Sequence, residues 1–228
     1  PRAFAVYEMW AELYPQDIAA LTSVAQVRLI QDDRRGAIEA YETILELDPT
    51  RIELLPQIGA IWEAVGEPEE ARDCYERHVE AAPEDEASVR ALARLSRRAG
   101  DHEAARKLYD RALLIDPDNV VVAGSLASLE RDVGRFDEAL RGYESALERA
   151  RTAEQRYPVL LAMSEHHAAR GEMRKALDYM ERALAEGEGF LMPVALLQTR
   201  LLALDLYVHA GRADEAEELL ETLAAQLQ

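Results

Sequence analysis

The chain has 228 residues, of which 49% are hydrophobic, and its 26 Lys and Arg against 44 Asp and Glu give a formal net charge of −18. This charge excludes a general affinity for nucleic acid or anionic lipid, because both would repel the chain. No apolar run approaches the roughly 18 to 20 residues that cross a bilayer. The only cysteine, Cys74, rules out an internal disulfide and favours a reducing compartment, the cytoplasm.

The predicted elements recur along the chain every 34 residues. Prolines take that step at Pro15, Pro49, Pro83 and Pro117. Two further series keep the same step: Ala3, Ala37, Ala71, Ala105 and Ala139, and Tyr7, Tyr41, Tyr75, Tyr109 and Tyr143. Such a period is typical of solenoids, whose units bury their apolar faces only against their neighbours. Residues 1–17 hold the second half of a truncated repeat, and full repeats are predicted at 18–51, 52–85, 86–119, 120–153, 157–190 and 197–228.

Each repeat is predicted to be a helix, a tight turn and a second helix. In the unit 52–85, one apolar-periodic run stops at Gly66 and the next stops at Pro83. Glycine suits the left-handed position after a helix, and proline blocks its continuation. The internal turns therefore lie at Gly66, Gly100, Gly134, Gly171 and Gly211. Asp32 replaces glycine in the first full repeat, where its side chain also tolerates a turn.

Two repeats are longer than the rest. The turn spacing rises to 37 residues before Gly171 and to 40 before Gly211, which places extra residues near 154–156 and 191–196. The second insertion contains Pro193 after two glycines. The alternatives are a loop and a following helix lengthened back to about Pro193. We expect the longer helix, because residues 194–202 are nearly all helix-forming.

The recurring small and large residues predict the packing. The alanine after each turn fits the closest approach of two antiparallel helices, where a larger side chain would overpack. Four residues later, a bulky group is expected to fill the space before the next repeat: Tyr41, Tyr75, Tyr109, Tyr143, Met180 or Leu220. The tyrosine hydroxyls should reach the edge, and Cys74 is interpreted as a packed side chain.

This pattern resembles the tetratricopeptide repeat family. The unit 86–119 matches the family's small, glycine, alanine and aromatic positions with Ala93, Gly100, Ala105, Tyr109, Ala112 and Pro117. The resemblance covers the whole chain, although Arg151 replaces the proline of the unit 120–153. It implies an all-α, right-handed superhelical solenoid of antiparallel helix pairs, TPR-like, that binds a protein or peptide in its concave groove.

In that family, the groove is lined by the first helix of each repeat. Its positions map here onto Arg90, Arg94, Arg97 and Arg98, which we call the arginine ridge, and onto Gln26, Ser128 and Arg131. Arginines in a groove suit bidentate capture of the carboxylates of an acidic partner. The alternative is that they pair with Glu63, Asp132 and other acids or stand in water. The family's carboxylate clamp is not predicted, since its asparagines are replaced by Arg94 and Ser125.

The sequence contains no pattern typical of an enzyme. There is no phosphate-binding glycine loop and no serine in a nucleophile elbow, and no cofactor is expected. Glu165, His166 and His167 are the only metal-like cluster. Adjacent helical residues point about 100° apart, so the two histidines are ill placed to share one ion. One of them is expected to pack against the neighbouring repeat instead.

The expected function is that of a protein-interaction scaffold binding a partner peptide or helix in the groove, with an acidic segment as the candidate ligand. One alternative is an architectural or regulatory arm of a larger protein, because Pro1 falls partway through a repeat. Another is self-assembly through the terminal repeats, which present apolar Phe4 and Trp10 at one end and Leu219, Leu220 and Leu223 at the other.

Overall fold

The structure is a computed structural model that describes residues 6, 7, 9, 10 and 13–226, with side chains up to residue 224. Twelve α-helices follow residue 17 in this part of the chain, where no β-strand occurs. They are α1 (Ile18–Ile30), α2 (Arg34–Leu47), α3 (Leu55–Val65), α4 (Pro68–Ala81), α5 (Glu86–Arg98), α6 (His102–Ile115), α7 (Val120–Asp132), α8 (Phe136–Arg149), α9 (Ala153–Ala169), α10 (Met173–Gly187), α11 (Pro193–His209) and α12 (Ala213–Gln226). A single 3₁₀ turn, Ile52–Leu54, precedes α3.

The sequence itself fixes many of the helix starts. The side chains of Asp17, Asp33 and Asp85 accept hydrogen bonds from backbone N–H groups in the first turns of α1, α2 and α5. Asn119 does the same for α7, and Thr152 forms a capping box at α9. These side chains satisfy donors that a helix start leaves unpaired.

The turns inside the helix pairs adopt the predicted left-handed backbone. The five turn glycines have φ between 71° and 91°, and Asp32 also has a positive φ, at 61°. A side chain at such a φ is strained, which explains why glycine recurs there.

The chain divides into two compact units, Pro1–Leu108 and Tyr109–Gln228, with the division falling inside α6. In the first unit, Leu21, Val24, Ile38, Tyr41 and Ile44 are among the buried residues of the core. In the second, the core includes Val120, Tyr143, Val159 and Met163. Within each unit, the two helices of a pair pack together and consecutive pairs are in contact.

The predicted small and large positions are buried with one correction. The alanines at 37, 71, 105, 139 and 176 are inaccessible, and Tyr41, Tyr75, Tyr109, Tyr143 and Met180 are at most 4% exposed. Leu220, expected to be buried at the same position, is 54% exposed. It lies on the last helix described, where no later helix packs on it. Ala3 and Phe4 lie outside the described residues.

The insertions lengthen helices, as expected for Pro193. Helix α11 begins at Pro193, and both α9 and α11 have 17 residues, against 11 to 13 for the first helices of earlier pairs. Cys74 is buried as predicted, and burial raises the pKa of its thiol to about 11. The thiolate is therefore scarce at neutral pH, which makes this cysteine unreactive in the folded state.

Candidate functional site

The arginine ridge lies on α5, in the first unit. Asp85 caps the start of this helix, and Arg97 and Arg98 occupy its last turn, where they complement the negative end of the helix dipole. The spacing of Arg90, Arg94, Arg97 and Arg98 puts them along one stripe of the helix. The side chains of Arg94 and Arg98 are 47% and 65% exposed. The helix thus presents much of two guanidinium groups to solvent.

Glu63 on α3 organises the exposed half of the ridge. Its carboxylate accepts a hydrogen bond from Arg94 through Oε1, and one from Arg98 at 3.3 Å through Oε2. The Tyr75 hydroxyl donates to Oε1 at 3.0 Å. Only 10% of the Glu63 side chain is exposed. One nearly buried carboxylate therefore holds two arginines side by side. Burial, followed by the negative charge of Glu63, raises the pKa of the Tyr75 hydroxyl.

The other two arginines of the ridge are less exposed. The Nε of Arg90 donates to Glu86 Oε1 at 3.0 Å, one helical turn away on the same helix. Arg97 is half-buried. The ridge therefore places Arg94 and Arg98 on Glu63 and Arg90 on Glu86. The pairing with Glu63, which was the alternative to a ligand-binding ridge, is present, and it leaves exposed donors on Arg94 and Arg98.

A cleft of about 450 Å³ lies next to the ridge in the first unit. Its lining is Glu63, Gly66, Pro68, Glu69, Arg72, Leu95, Arg98 and Ala99. Glu63 and Arg98 belong both to the cleft and to the ion-pair cluster. The turn between α3 and α4 forms one wall, and the end of α5 forms the other. The sequence pattern did not reveal this cleft, because it depends on how consecutive helix pairs dock.

Gln26 is the remaining predicted contact of the first unit. It lies on α1 with its side chain exposed. Neighbours at the same level of α1, such as Val24, Ala25 and Val27, are buried. Gln26 is thus exposed to solvent, and its contact with a partner stays a prediction.

The second unit arranges its predicted contacts differently. Ser128 on α7 is buried: its hydroxyl donates to the Gly124 carbonyl at 3.0 Å and accepts from the Tyr143 hydroxyl at 2.9 Å. Arg131 donates to Glu165 Oε2 at 2.9 Å and lies 3.5 Å from Asp132. The Asp132 contact is one that the sequence indicated. The Glu165 contact was missed, although opposite charges 34 residues apart were a usable signal.

Two smaller clefts lie between first helices of the second unit. One, of about 100 Å³, lies between α7 and α9 and includes Val121, Gly124, Ser128 and Pro158 in its lining. The other, of about 130 Å³, lies between α9 and α11 and is lined by Leu161, Ser164, Glu165, Ala168, Met180, Leu202, Asp205 and Leu206. Both are mostly apolar, in contrast to the ridge of the first unit.

The adjacent histidines of α9 are core residues. His166 is inaccessible and touches the rings of Phe136 and Tyr143 edge to face, each with centroids 5.9 Å apart. His167 is buried as well, and its Nδ1 lies 3.0 Å from Glu172 Oε2. Both histidines are packed, where one was expected. In the described part of the chain, no three metal-ligating side chains are grouped to hold an ion.

None of the described helices has the length and apolarity needed to span a bilayer. Helix pairs with exposed first-helix side chains and a core between repeats are the architecture of a helical-repeat scaffold, a class that presents surfaces to other proteins.

Comparison with known proteins identifies the family. Residues 63–120 and 96–163 match two models described as tetratricopeptide repeat. None of the curated proteins compared with the chain matches it in sequence. The chain therefore contains tetratricopeptide repeats, which these models locate within residues 63–163.

Solved structures share this fold at low sequence identity. A tetratricopeptide repeat protein from Parabacteroides merdae aligns with a TM-score of 0.67 and 17% identity, over 91% of this chain and 79% of that one. MamA gives 0.60 and 20%, over 73% and 95%. The Cut9–Hcn1 hetero-tetramer of the APC/C gives 0.71 and 11%, over 98% and 43%. The all-α helical-repeat fold predicted from the sequence is confirmed. Proteins of this fold generally bind proteins or peptides and are typically non-catalytic.

Proposed function

We propose that this protein captures an acidic segment of a partner protein on the arginine ridge of the first unit. The observation that carries the proposal is the Glu63 cluster, in which one carboxylate aligns two exposed arginines. A guanidinium has five donors in a fixed fork, so a bond to Glu63 leaves others available. An incoming carboxylate would meet preorganised donors, which lowers the entropy cost of capture.

The charge distribution supports the choice of an acidic partner. The chain as a whole carries −18, so four arginines on one short helix stand out from their surroundings. Arg94 and Arg98 share the single carboxylate of Glu63, which offsets only part of the charge of these two arginines. Gln26 in the first unit, and Ser128 and Arg131 in the second, remain predicted contacts. Ser128 would have to contribute through its surroundings, because its hydroxyl is already engaged.

The test is a charge reversal on the ridge. The double variant Arg90→Glu, Arg94→Glu should abolish binding of a glutamate-rich peptide measured by fluorescence anisotropy, with helicity unchanged in circular dichroism. The matched control is Arg35→Glu, Arg77→Glu, which changes the net charge equally at exposed arginines on the second helices of the same unit. Equal affinity of the ridge variant and the wild type would reject the proposal.

Self-association is a second candidate, supported by exposed apolar residues at the end of the described chain. Val194, Leu201, Leu202 and Val208 on α11 are each at least half exposed. Of the terminal residues predicted for this role, Leu220 is exposed and Leu223 is buried, while Trp10 and Leu219 are half-buried. Light scattering should then report a mass that rises with concentration and falls back to one chain in Val194→Lys, Val208→Lys. A constant mass would exclude this candidate.

A further inference from the structure

The cleft beside the ridge has no role in carboxylate capture alone. It offers about 450 Å³, within the range of roughly 300 to 1,000 Å³ typical of ligand sites. Pro68, Leu95 and Ala99, together with the Gly66 turn, supply apolar surface. The space exceeds what a carboxylate requires, so its natural occupant is a larger group.

The two acids in the lining are already paired. Glu63 accepts from Tyr75, Arg94 and Arg98, and Glu69 lies 3.8 Å from the guanidinium of Arg72. A basic side chain entering the cleft would compete with these pairs and would meet the charge of Arg98. An apolar side chain would instead bury itself against Leu95 and Pro68. The cleft therefore favours an uncharged, bulky occupant.

The cleft and the ridge are continuous through one guanidinium. Arg98 lines the cleft and also bonds Glu63 at 3.3 Å, and its side chain is 65% exposed. A segment whose carboxylate reaches Arg94 and Arg98 would bring its adjoining side chains to the mouth of the cleft. Charge complementarity thus positions the acidic part of the ligand on the arginines, and the cleft determines which side chain can lie next to it.

We infer that the partner segment carries a bulky apolar residue, such as phenylalanine, next to its acidic residues, and that the cleft holds this side chain. This inference rests on the proposed function, because it concerns the same segment. The cleft supplies specificity, because the arginines can bind any exposed carboxylate, whereas only a bulky apolar side chain gains from burial in the cleft.

The experiment uses four fluorescein-labelled peptides of ten residues. They contain a run of either glutamates or glutamines, with either a phenylalanine or an alanine at both ends of the run. Phenylalanine should tighten binding of the glutamate peptide about tenfold, given the free energy of burying an aromatic side chain. Equal affinity for phenylalanine and alanine peptides would overturn the inference and leave the proposed function standing.

A cleft-filling variant separates the two surfaces. Ala99→Phe places a bulky side chain at the mouth of the cleft, at a helix C-cap with ordinary φ of −74° and ψ of −6°. It should remove the tenfold preference for phenylalanine and keep the preference for glutamate. The control is Ala210→Phe, the same change at a C-cap with φ of −80° and ψ of −5° on α11, and it should leave both preferences unchanged.

Three results would contradict the inference by different routes. Tighter binding of a lysine–phenylalanine peptide would show that the cleft prefers a basic neighbour. Binding of N-acetylphenylalanine amide as tight as that of the peptide would indicate a small-molecule site. A phenylalanine preference that persists in Ala99→Phe would place the aromatic contact elsewhere. By contrast, loss of the glutamate preference in the wild type defeats the proposed function itself.

Discussion

The two units use the same repeated tyrosine in different ways. In the first unit, the hydroxyl of Tyr75 donates to the carboxylate of Glu63, which also holds two arginines. In the second, the hydroxyl of Tyr143, two repeats later, donates to the buried hydroxyl of Ser128. Both rings are buried. The packing position is thus constant, whereas the partner of its polar end differs: a carboxylate in the first unit and a hydroxyl in the second.

The glycines near these two tyrosines make room for different groups in the two units. A Cβ on Gly59 would lie 3.0 Å from the ring of Tyr75, so the first unit uses glycine to make room for the aromatic side chain. In the second unit, a Cβ on Gly142 would lie 2.8 Å from the Cβ of Ala127, so the glycine lets two helices approach. The two helices of each pair therefore pack through contacts of their own, and the residues on their outer surface can differ from one repeat to the next.

The largest expected effect is on the packing that the two units share. Tyr143→Ala removes an inaccessible aromatic ring and should lower the free energy of unfolding by about 3–5 kcal/mol. Tyr7→Ala, at the same repeat position but with 37% exposure, is the matched control and should cost far less. Urea denaturation followed by circular dichroism measures both. Equal losses of unfolding free energy in the two variants would contradict the prediction that burial of the ring determines the loss.

The next largest effect concerns the ion pairs of Glu63 in the first unit. Glu63→Gln keeps a side-chain oxygen that can accept from an arginine, but it removes the negative charge that competes with the peptide for Arg94 and Arg98. It should tighten binding of the glutamate-rich peptide about fivefold, from a Coulomb energy near 1 kcal/mol at 4 Å in water. Glu165→Gln, which frees Arg131 from its 2.9 Å partner in the second unit, should leave this affinity unchanged. Anisotropy titrations at low salt compare the two, and weaker binding to Glu63→Gln would contradict the prediction.

Acid should destabilise the second unit in two stages. Burial, followed by the nearby positive groups of His167, Arg170 and Arg131, lowers the pKa of His166 below its usual 6.5, and Glu172 counters this in part. Neither ring nitrogen of His166 is hydrogen-bonded to the protein. The unfolded state therefore binds more protons as the pH falls below about 6.5, and the free energy of unfolding decreases. His78, the buried histidine of the first unit, has its Nδ1 2.9 Å from Ser88 Oγ.

The second stage belongs to Glu172. Its hydrogen bonds with Lys175 and His167 lower the pKa of its carboxyl from 4.5 to about 2. Its stabilising contribution is present above pH 4.5 and is lost as the pH falls toward 2. Urea denaturation at a series of pH values should show both stages. His166→Leu should flatten only the stage near pH 6, and an unchanged profile in this variant would refute the assignment.

The smallest expected effect concerns a helix start. Asn119→Ala removes the side chain that accepts from the Val122 N–H at 3.1 Å, and should lower stability by ~1 kcal/mol. Met192→Ala is the control, because Met192 is the N-cap of α11 and makes no capping hydrogen bond. Its stability should stay within about 0.5 kcal/mol of the wild type, as for most surface substitutions. A loss of equal size in both variants would show that capping is not the cause.

Much of the fold was predictable because its determinants are local. A glycine before each second helix, Asp32 in its place, and Pro193 at the start of a long helix are read from a few neighbouring residues. The burial of the tyrosines follows from helical spacing within one repeat. Leu220 shows the limit of this reasoning: its position in the pattern is right, but burial also requires a neighbour that packs on it.

The site was predictable in its residues and less so in its contacts. The ridge arginines follow from the repeat positions, and Glu63 was a candidate partner for them. The cleft next to Arg98 and the Arg131–Glu165 pair depend on the docking of one helix pair on the next, with partners 30 or more residues apart. Side-chain spacing in one helix carries no information on that docking.

The burial of Cys74 gives the chain a built-in reporter. Since it is the only thiol in the sequence and lies in the core of the first unit, it becomes accessible to a disulfide reagent such as DTNB only when α4 separates from its neighbours. The rate of thiol labelling therefore measures how often the first unit opens, without any introduced probe. A ligand bound to the ridge between α3 and α5 should lower the labelling rate of Cys74, and a ligand bound to the second unit should leave that rate unchanged.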